Sequence, residues 1–106
     1  MIQFDLSNRT AVVTGGAKGI GLGIAHRLLE SGASVAIWDL NPDLLQSDDF
    51  AAIETVDVTD SDSVEQALNH TLSRLDRIDL LVNNAGVNGP TAVSYTHLTL
   101  PTILLV

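Results

Sequence analysis

The sequence predicts an α/β fold, a doubly wound parallel sheet, from three observations. Short apolar strands alternate with helical stretches across short turns, an order that produces right-handed crossovers and a parallel sheet. Two strands, at residues 11–13 and 80–82, are apolar without interruption, as expected when helices cover both faces of a sheet. A glycine-rich turn, residues 14–21, lies between the first strand and the first helix.

The first half of the chain contains two strands around one helix. Residues 9–13 are rich in β-branched side chains and predict the first strand. Apolar residues at helical spacing predict a helix over residues 20–31, and Gly32 is the expected left-handed cap. Residues 34–38 predict the second strand, which ends at Asp39.

The second half continues the alternation. A helical turn with proline in its first turn is predicted at residues 41–45, and a third strand at 53–56. Asp60 or Ser61 is the expected cap of a second amphipathic helix, whose apolar residues are three and four positions apart. A fourth strand is predicted at residues 78–82.

Length and composition limit the chain to one small domain of ordinary type. Its 106 residues are 45% hydrophobic, so a core can form. A net charge of -8 argues against a nucleic-acid or anionic-membrane partner. The lack of cysteine excludes disulfides and thiolate metal sites. With no secretion signal and no apolar stretch that could span a bilayer, we expect a soluble cytoplasmic protein.

The glycine turn and Asp39 together predict a dinucleotide site. Glycines at a strand-to-helix turn let a diphosphate approach the unpaired N–H groups of a helix start. Asp39 follows the turn by about 20 residues, where a carboxylate accepts hydrogen bonds from ribose hydroxyls. Either feature alone also fits an ordinary turn or a solvated aspartate, but their combination with strand and helix favours cofactor binding.

Two separated motifs resemble the short-chain dehydrogenase/reductase family in its single-domain branch. They are Thr14-Gly15-x-x-x-Gly19-Ile20-Gly21 and Asn83-Asn84-Ala85-Gly86. The resemblance runs from Phe4 to about Ala92. It implies a Rossmann-like sheet of strand order 3-2-1-4, with only the nucleotide-binding half, residues 1–92, present. It also implies a parent oxidoreductase that interconverts an alcohol and a ketone, as in 3-oxoacyl-carrier-protein reductases or sugar and polyol dehydrogenases, and that forms a homo-oligomer.

The resemblance also assigns residues to the cofactor. The acid–apolar pair Asp57-Val58 is similar to one that the family places against the adenine, and the asparagine motif steadies the fourth strand and lines the cleft. The expected cofactor-binding residues are Gly15, Ala17, Lys18, Gly19, Ile20, Gly21, Asp39, Asp57, Val58, Asn83, Asn84, Ala85 and Gly86. No metal-ligating residues are predicted.

Charge favours NAD over NADP. Asp39 would face a 2′-phosphate, and two unit charges about 4 Å apart repel by roughly 4 kcal/mol at an effective dielectric constant of about 20. That energy corresponds to an affinity for NADP about a thousandfold weaker than for NAD. Lys18 lies where related NADP enzymes often carry a basic residue, but an exposed lysine contributes about 1 kcal/mol or less. Lys18 is equally well interpreted as a solvated turn residue.

No catalytic residue is predicted in this chain. The family uses a tyrosine, a lysine four residues later and a serine, all in its second half. The only lysine here is Lys18, and Tyr95 is followed four residues later by Thr99. We therefore expect the chain itself to be inactive. A non-catalytic dinucleotide-binding module is the alternative function. An epimerase or other extended family member is a third hypothesis, and the glycine spacing and the Asn-Asn-Ala-Gly turn argue against it.

Residues 93–106 depart from the family pattern. The stretch from Val93 to Thr102 resembles a translated sequencing-library adapter of the transposase type, and the remaining residues fit its continuation up to the stop. We interpret residues 93–106 as a non-native tail to be excluded from fold reasoning. The alternative is a genuine strand, because residues 99–106 are rich in β-forming side chains.

Overall fold

The computed structural model describes residues 5–45, 49–84 and 104–105, which form a parallel sheet with helices on both faces. The strands are β1 (Thr10–Thr14), β2 (Ser34–Asp39), β3 (Ala52–Thr55), β4 (Leu80–Asn83) and β5 (Leu104–Leu105). The helices are α1 (Gly19–Glu30) and α2 (Ser61–Leu75), with a 3-10 helix at Pro42–Leu44. The predicted α/β fold is confirmed, with element bounds shifted by a residue or two.

The strand order is β3-β2-β1-β4-β5. The predicted order of the first four strands is confirmed, and every pairing is parallel. The fifth strand is an addition to that prediction: two leucines within residues 93–106 pair with Leu80 and Leu81 of β4. The pairing follows the β-propensity of this stretch and the open edge that β4 offers. The other residues of the predicted tail, with Ala85 and Gly86, lie outside the described residues.

Side chains alternate along the strands between two hydrophobic cores. Val12 of β1 points to the core beneath α2, and its neighbour Val13 points to the core beneath α1. Both valines are fully buried. The uninterrupted apolar runs therefore fill both faces of the sheet, as the sequence predicts. Trp38 packs in the α2 core, and its indole N–H donates to Thr71 Oγ1 at 3.0 Å.

The two helices begin differently. Asp60 caps α2, since its side chain accepts a hydrogen bond from the Asp62 N–H. Lys18 precedes α1 and makes no side-chain cap, and α1 has no acidic residue in its first turn. The first N–H groups of α1 therefore have neither an intrahelical acceptor nor a side-chain cap from Lys18. They lie at the carboxyl edge of the sheet, where β1, β2 and β4 end.

At the opposite, amino edge of the sheet, an ionic cluster joins the start of β4 to the start of β1. Asp79, just before β4, accepts a hydrogen bond from the Thr10 N–H of β1 at 2.9 Å. Its other oxygen contacts the guanidinium of Arg77, with Nε at 3.0 Å, and lies 3.6 Å from Arg9 Nη1. The hydrogen bond from Arg77 is the main reason that the pKa of Asp79 lies below its usual value.

Candidate functional site

The first half of the glycine turn is fixed to β2. Gly15 has a φ of +65°, a conformation that favours glycine, and its N–H donates to the Trp38 carbonyl oxygen at 2.7 Å. Two residues later, the Ala17 N–H donates to Asp39 Oδ2 at 3.0 Å. The end of β2 thus holds the turn through one backbone and one side-chain acceptor.

The turn is also fixed to β4 through Asn84. The Asn84 side chain donates from Nδ2 to the Gly15 carbonyl oxygen at 3.1 Å. Its backbone N–H donates to Thr14 Oγ1 at 3.0 Å, and that hydroxyl donates to the Val82 carbonyl oxygen at 3.2 Å. Asn84 thus joins the end of β4 to the end of β1 and to the first glycine of the turn.

Two glycines allow this close packing. A Cβ at Gly21 would lie 2.2 Å from the Gly15 carbonyl oxygen and 2.6 Å from Asn84 Nδ2. A Cβ at Gly16 would lie 2.8 Å from Ile37 Cδ1. Real Cβ atoms do not approach this closely, so α1 can pack against the Gly15 backbone only because residue 21 is glycine. At Gly16, the end of the Ile37 side chain would have to shift to make room for a Cβ.

The second half of the turn is open. Gly19 has a φ of +61°, and a Cβ there would meet no heavy atom within 4 Å. Lys18 is exposed, and Ile20 is 77% exposed although it is apolar. Open space beside the start of α1 fits a diphosphate, which accepts hydrogen bonds from helix N–H groups.

A second carboxylate stands at the end of the neighbouring strand β3. Asp57 Oδ1 accepts hydrogen bonds from the Thr59 hydroxyl at 2.6 Å and the Thr59 N–H at 2.9 Å. The hydroxyl bond is the larger reason that the pKa of Asp57 lies below its ordinary value, so this side chain is ionised at neutral pH. Val58 is half-buried and packs against the α2 core.

Asn83 ends β4 and carries a buried acceptor. Its Oδ1 is inaccessible to solvent and has no hydrogen-bond partner among the residues that the structure describes. Buried acceptors are normally paired, so this oxygen is available to a donor from a ligand or from the chain beyond residue 84. It lies on the strand next to β1, at the carboxyl edge of the sheet.

The predicted site residues that are described come together at one edge of the sheet. Sequence reasoning missed the hydroxyl of Thr14, the close packing of Gly16 and the carbonyl of Trp38, because each acts through a long-range contact. Lys18, His26 and His70 are exposed. Within residues 5–45 and 49–84, no group of three or more potential ligands could hold a metal ion, and neither helix could cross a membrane.

Comparison with known proteins agrees with this geometry. The family model for short chain dehydrogenases matches residues 9–100. A 2-dehydro-3-deoxy-L-rhamnonate dehydrogenase (NAD(+)) from Sphingomonas sp. (strain SKA58) is 37% identical over 89 residues, which are 80% of this chain and 36% of that protein. The chain thus spans about a third of the length of the relatives it matches.

Solved structures give the same result. The ligand-free aldohexose dehydrogenase of Thermoplasma acidophilum is 33% identical with a TM-score of 0.69, over 79% of this chain and 32% of that one. The 3-ketoacyl-(acyl-carrier-protein) reductase of Brucella melitensis, solved with NADH, is 27% identical with a TM-score of 0.65, over 74% of this chain and 34% of that one. The sheet, its glycine turn and the family match over residues 9–100 establish that the chain belongs to the short-chain dehydrogenase family.

Proposed function

We propose that this chain binds NAD(H) at the carboxyl edge of its sheet. The observation that carries the proposal is the division of the glycine turn into a fixed half and an open half. The fixed half is held by Asp39 and Asn84, and the open half exposes Gly19 beside an α1 start that Lys18 does not cap. A diphosphate fits the open half, and the adjacent Asp39 carboxylate suits ribose hydroxyls.

Other residues of the edge complete the proposed site. Asp57 and Val58 follow β3 and would accommodate the adenine, with the ionised Asp57 accepting from its amino group. The N–H groups that begin α1 would bind the diphosphate. The buried Asn83 Oδ1 is suited to accept a hydrogen bond from the bound molecule or from later residues of the chain. Ala85 and Gly86 remain predicted cofactor residues.

The whole protein is proposed to be an oxidoreductase that interconverts an alcohol and a ketone. A bound nicotinamide dinucleotide supplies the acceptor or donor of hydride in such a reaction. The two proteins of similar structure named above are an aldohexose dehydrogenase and a 3-ketoacyl-(acyl-carrier-protein) reductase. Sugars and 3-oxoacyl groups are therefore the proposed substrate classes. The parent is proposed to be a cytoplasmic homo-oligomer.

The 106-residue chain by itself is proposed to bind without catalysing. It contains no tyrosine followed four residues later by lysine, and a positioned proton donor is needed when hydride transfer changes the charge of the substrate oxygen. No turnover is expected on any alcohol or ketone. Turnover that disappears in Tyr95→Phe would contradict both this expectation and the interpretation of residues 93–106 as a non-native tail.

Cofactor preference can be measured with the single tryptophan of the chain. Trp38 immediately precedes Asp39, so energy transfer from its indole to a bound reduced nicotinamide reports binding. We expect NADH to bind roughly a hundredfold more tightly than NADPH, because repulsion from Asp39 exceeds the help from Lys18. Asp39→Ala combined with Leu40→Arg should shift the preference toward NADPH. Tighter binding of NADPH by the wild-type chain would contradict the assignment.

A further inference from the structure

Asp39 makes two hydrogen bonds that have nothing to do with a cofactor. Oδ2 accepts from the Ala17 N–H at 3.0 Å, across 22 residues of sequence. Oδ1 accepts from the Asn41 N–H at 2.9 Å, just beyond β2. The carboxylate therefore joins the glycine turn to the segment that leaves the second strand.

The bond to Ala17 is the more consequential of the two. Ala17 is only 3% exposed, so its N–H has little access to water and requires a protein acceptor. Among the described residues, the Asp39 carboxylate provides that acceptor, and hydrogen bonds to charged acceptors are the stronger ones. Together with the bond from Gly15 to the Trp38 carbonyl oxygen, it fixes the backbone immediately before the open half of the turn.

We infer that Asp39 is a positioning residue of the diphosphate-binding turn as well as a ligand of the ribose. This inference rests on the proposed function for its ribose part only. Each carboxylate oxygen can accept more than one hydrogen bond, so Asp39 can receive ribose hydroxyls without releasing Ala17 or Asn41. The same side chain then orders the turn before the cofactor arrives and contacts the ribose afterwards.

This dual role has a consequence for cofactor specificity. Removing Asp39 abolishes repulsion of a 2′-phosphate, but it also frees the Ala17 N–H and loosens the turn that both dinucleotides use. A variant without Asp39 should therefore bind NADPH less tightly than relief of repulsion alone predicts. Asp39→Asn is no substitute, because an amide has one acceptor oxygen and both backbone partners are donors.

The first test needs no cofactor. Amide hydrogen exchange is measured by NMR for the 106-residue wild-type chain and for the variants Asp39→Ala, Asp39→Asn and Asp39→Leu. The control is Glu65→Ala, which removes one charge from the exposed face of α2. At Ala17 we expect exchange about tenfold faster or more in Asp39→Ala, with Val12 and Val82 unchanged. Should Asp39→Ala also lose protection at those valines, Asp39→Leu decides, because leucine is close to aspartate in size and has no acceptor. Unchanged exchange at Ala17 in folded Asp39→Ala or Asp39→Leu would overturn the inference.

The second test separates positioning from ribose binding. ADP and 2′,3′-dideoxy-ADP are each titrated into the wild type and into Asp39→Ala. The four affinities form a double-mutant cycle, in which the substitution removes the carboxylate and the dideoxy compound lacks the ribose hydroxyls. If Asp39 also positions the turn, Asp39→Ala weakens binding of the dideoxy compound several-fold. Equal affinity of both proteins for that compound would restrict Asp39 to the ribose and overturn the inference. Failure of the wild type to bind ADP would count against the proposed function, while exchange at Ala17 would still decide the positioning role.

Discussion

Gly21 provides a sharp test of the packing at the glycine turn. In Gly21→Ala, the new Cβ would lie 2.2 Å from the Gly15 carbonyl oxygen and 2.6 Å from Asn84 Nδ2. The Gly15 oxygen belongs to backbone that Asn84 and the Trp38 carbonyl already hold, so it cannot move aside without breaking those bonds. We expect α1 to move away from the turn and the Asn84–Gly15 hydrogen bond to be lost.

The cost can be worked out from these contacts. Overpacking a well-packed site costs about 1–3 kcal/mol, and the lost hydrogen bond adds about 1 kcal/mol. Alanine recovers up to about 1 kcal/mol through its higher helix propensity. The net loss in the free energy of unfolding is therefore about 2 kcal/mol. In a domain of this size, that loss lowers Tm by about 10 °C.

The same helix contains a matched control. Gly23 lies two residues later, and a Cβ there would meet nothing within 4 Å. Gly23→Ala should therefore stabilise the chain by about 0.5–1 kcal/mol through helix propensity alone. Urea and thermal unfolding followed by circular dichroism would compare both variants with the wild type. Equal stability of Gly21→Ala and Gly23→Ala would refute the packing account.

Three further predictions concern the rest of the chain. Asp79→Asn should destabilise the chain at neutral pH. Arg77 lowers the pKa of Asp79 below 3.8 in the folded state, so the ionised Asp79 stabilises the fold above pH 3.8. This stabilisation is lost as the pH falls through the lowered pKa. The urea midpoint of Asp79→Asn should therefore vary less with pH below 3.8 than the midpoint of the wild type. Thr71→Val should cost about 1–3 kcal/mol of unfolding free energy in urea, since it leaves the buried Trp38 N–H without its acceptor; an unchanged midpoint would show that the bond contributes nothing. Deleting residues 93–106 should leave exchange at Val12 and Val82 unaltered, and loss of protection at both would show that this stretch belongs to the domain.

The fold could be predicted from local patterns because each element carries its own signal. The apolar runs of β1 and β4 predicted burial on both faces, and Gly32, with a φ of +98°, ends the first helix as expected. Asp60 caps the second helix, one of the two candidates named from the sequence. The paired leucines of β5 were not in the predicted strand order, because the sequence favoured a non-native origin for that segment.

The contacts of the candidate site could be predicted only in part. Spacing placed Asp39 and the glycine turn at the same edge of the sheet, but it gave no sign that the carboxylate would bind the Ala17 N–H. The same holds for the bond between Asn84 and the Gly15 oxygen, which joins residues 69 positions apart. Such contacts depend on the distance between strands and on side-chain direction, which no local pattern encodes.

The central claim is that the carboxyl edge of this sheet binds NAD(H). The most direct test is an NMR titration of the isotopically labelled 106-residue chain with NADH. We predict saturable shifts of the Gly19, Ile20 and Val58 amides, with no change at Asp79 on the opposite edge. Absence of shifts at high NADH concentration, or shifts centred on Asp79, would contradict the account.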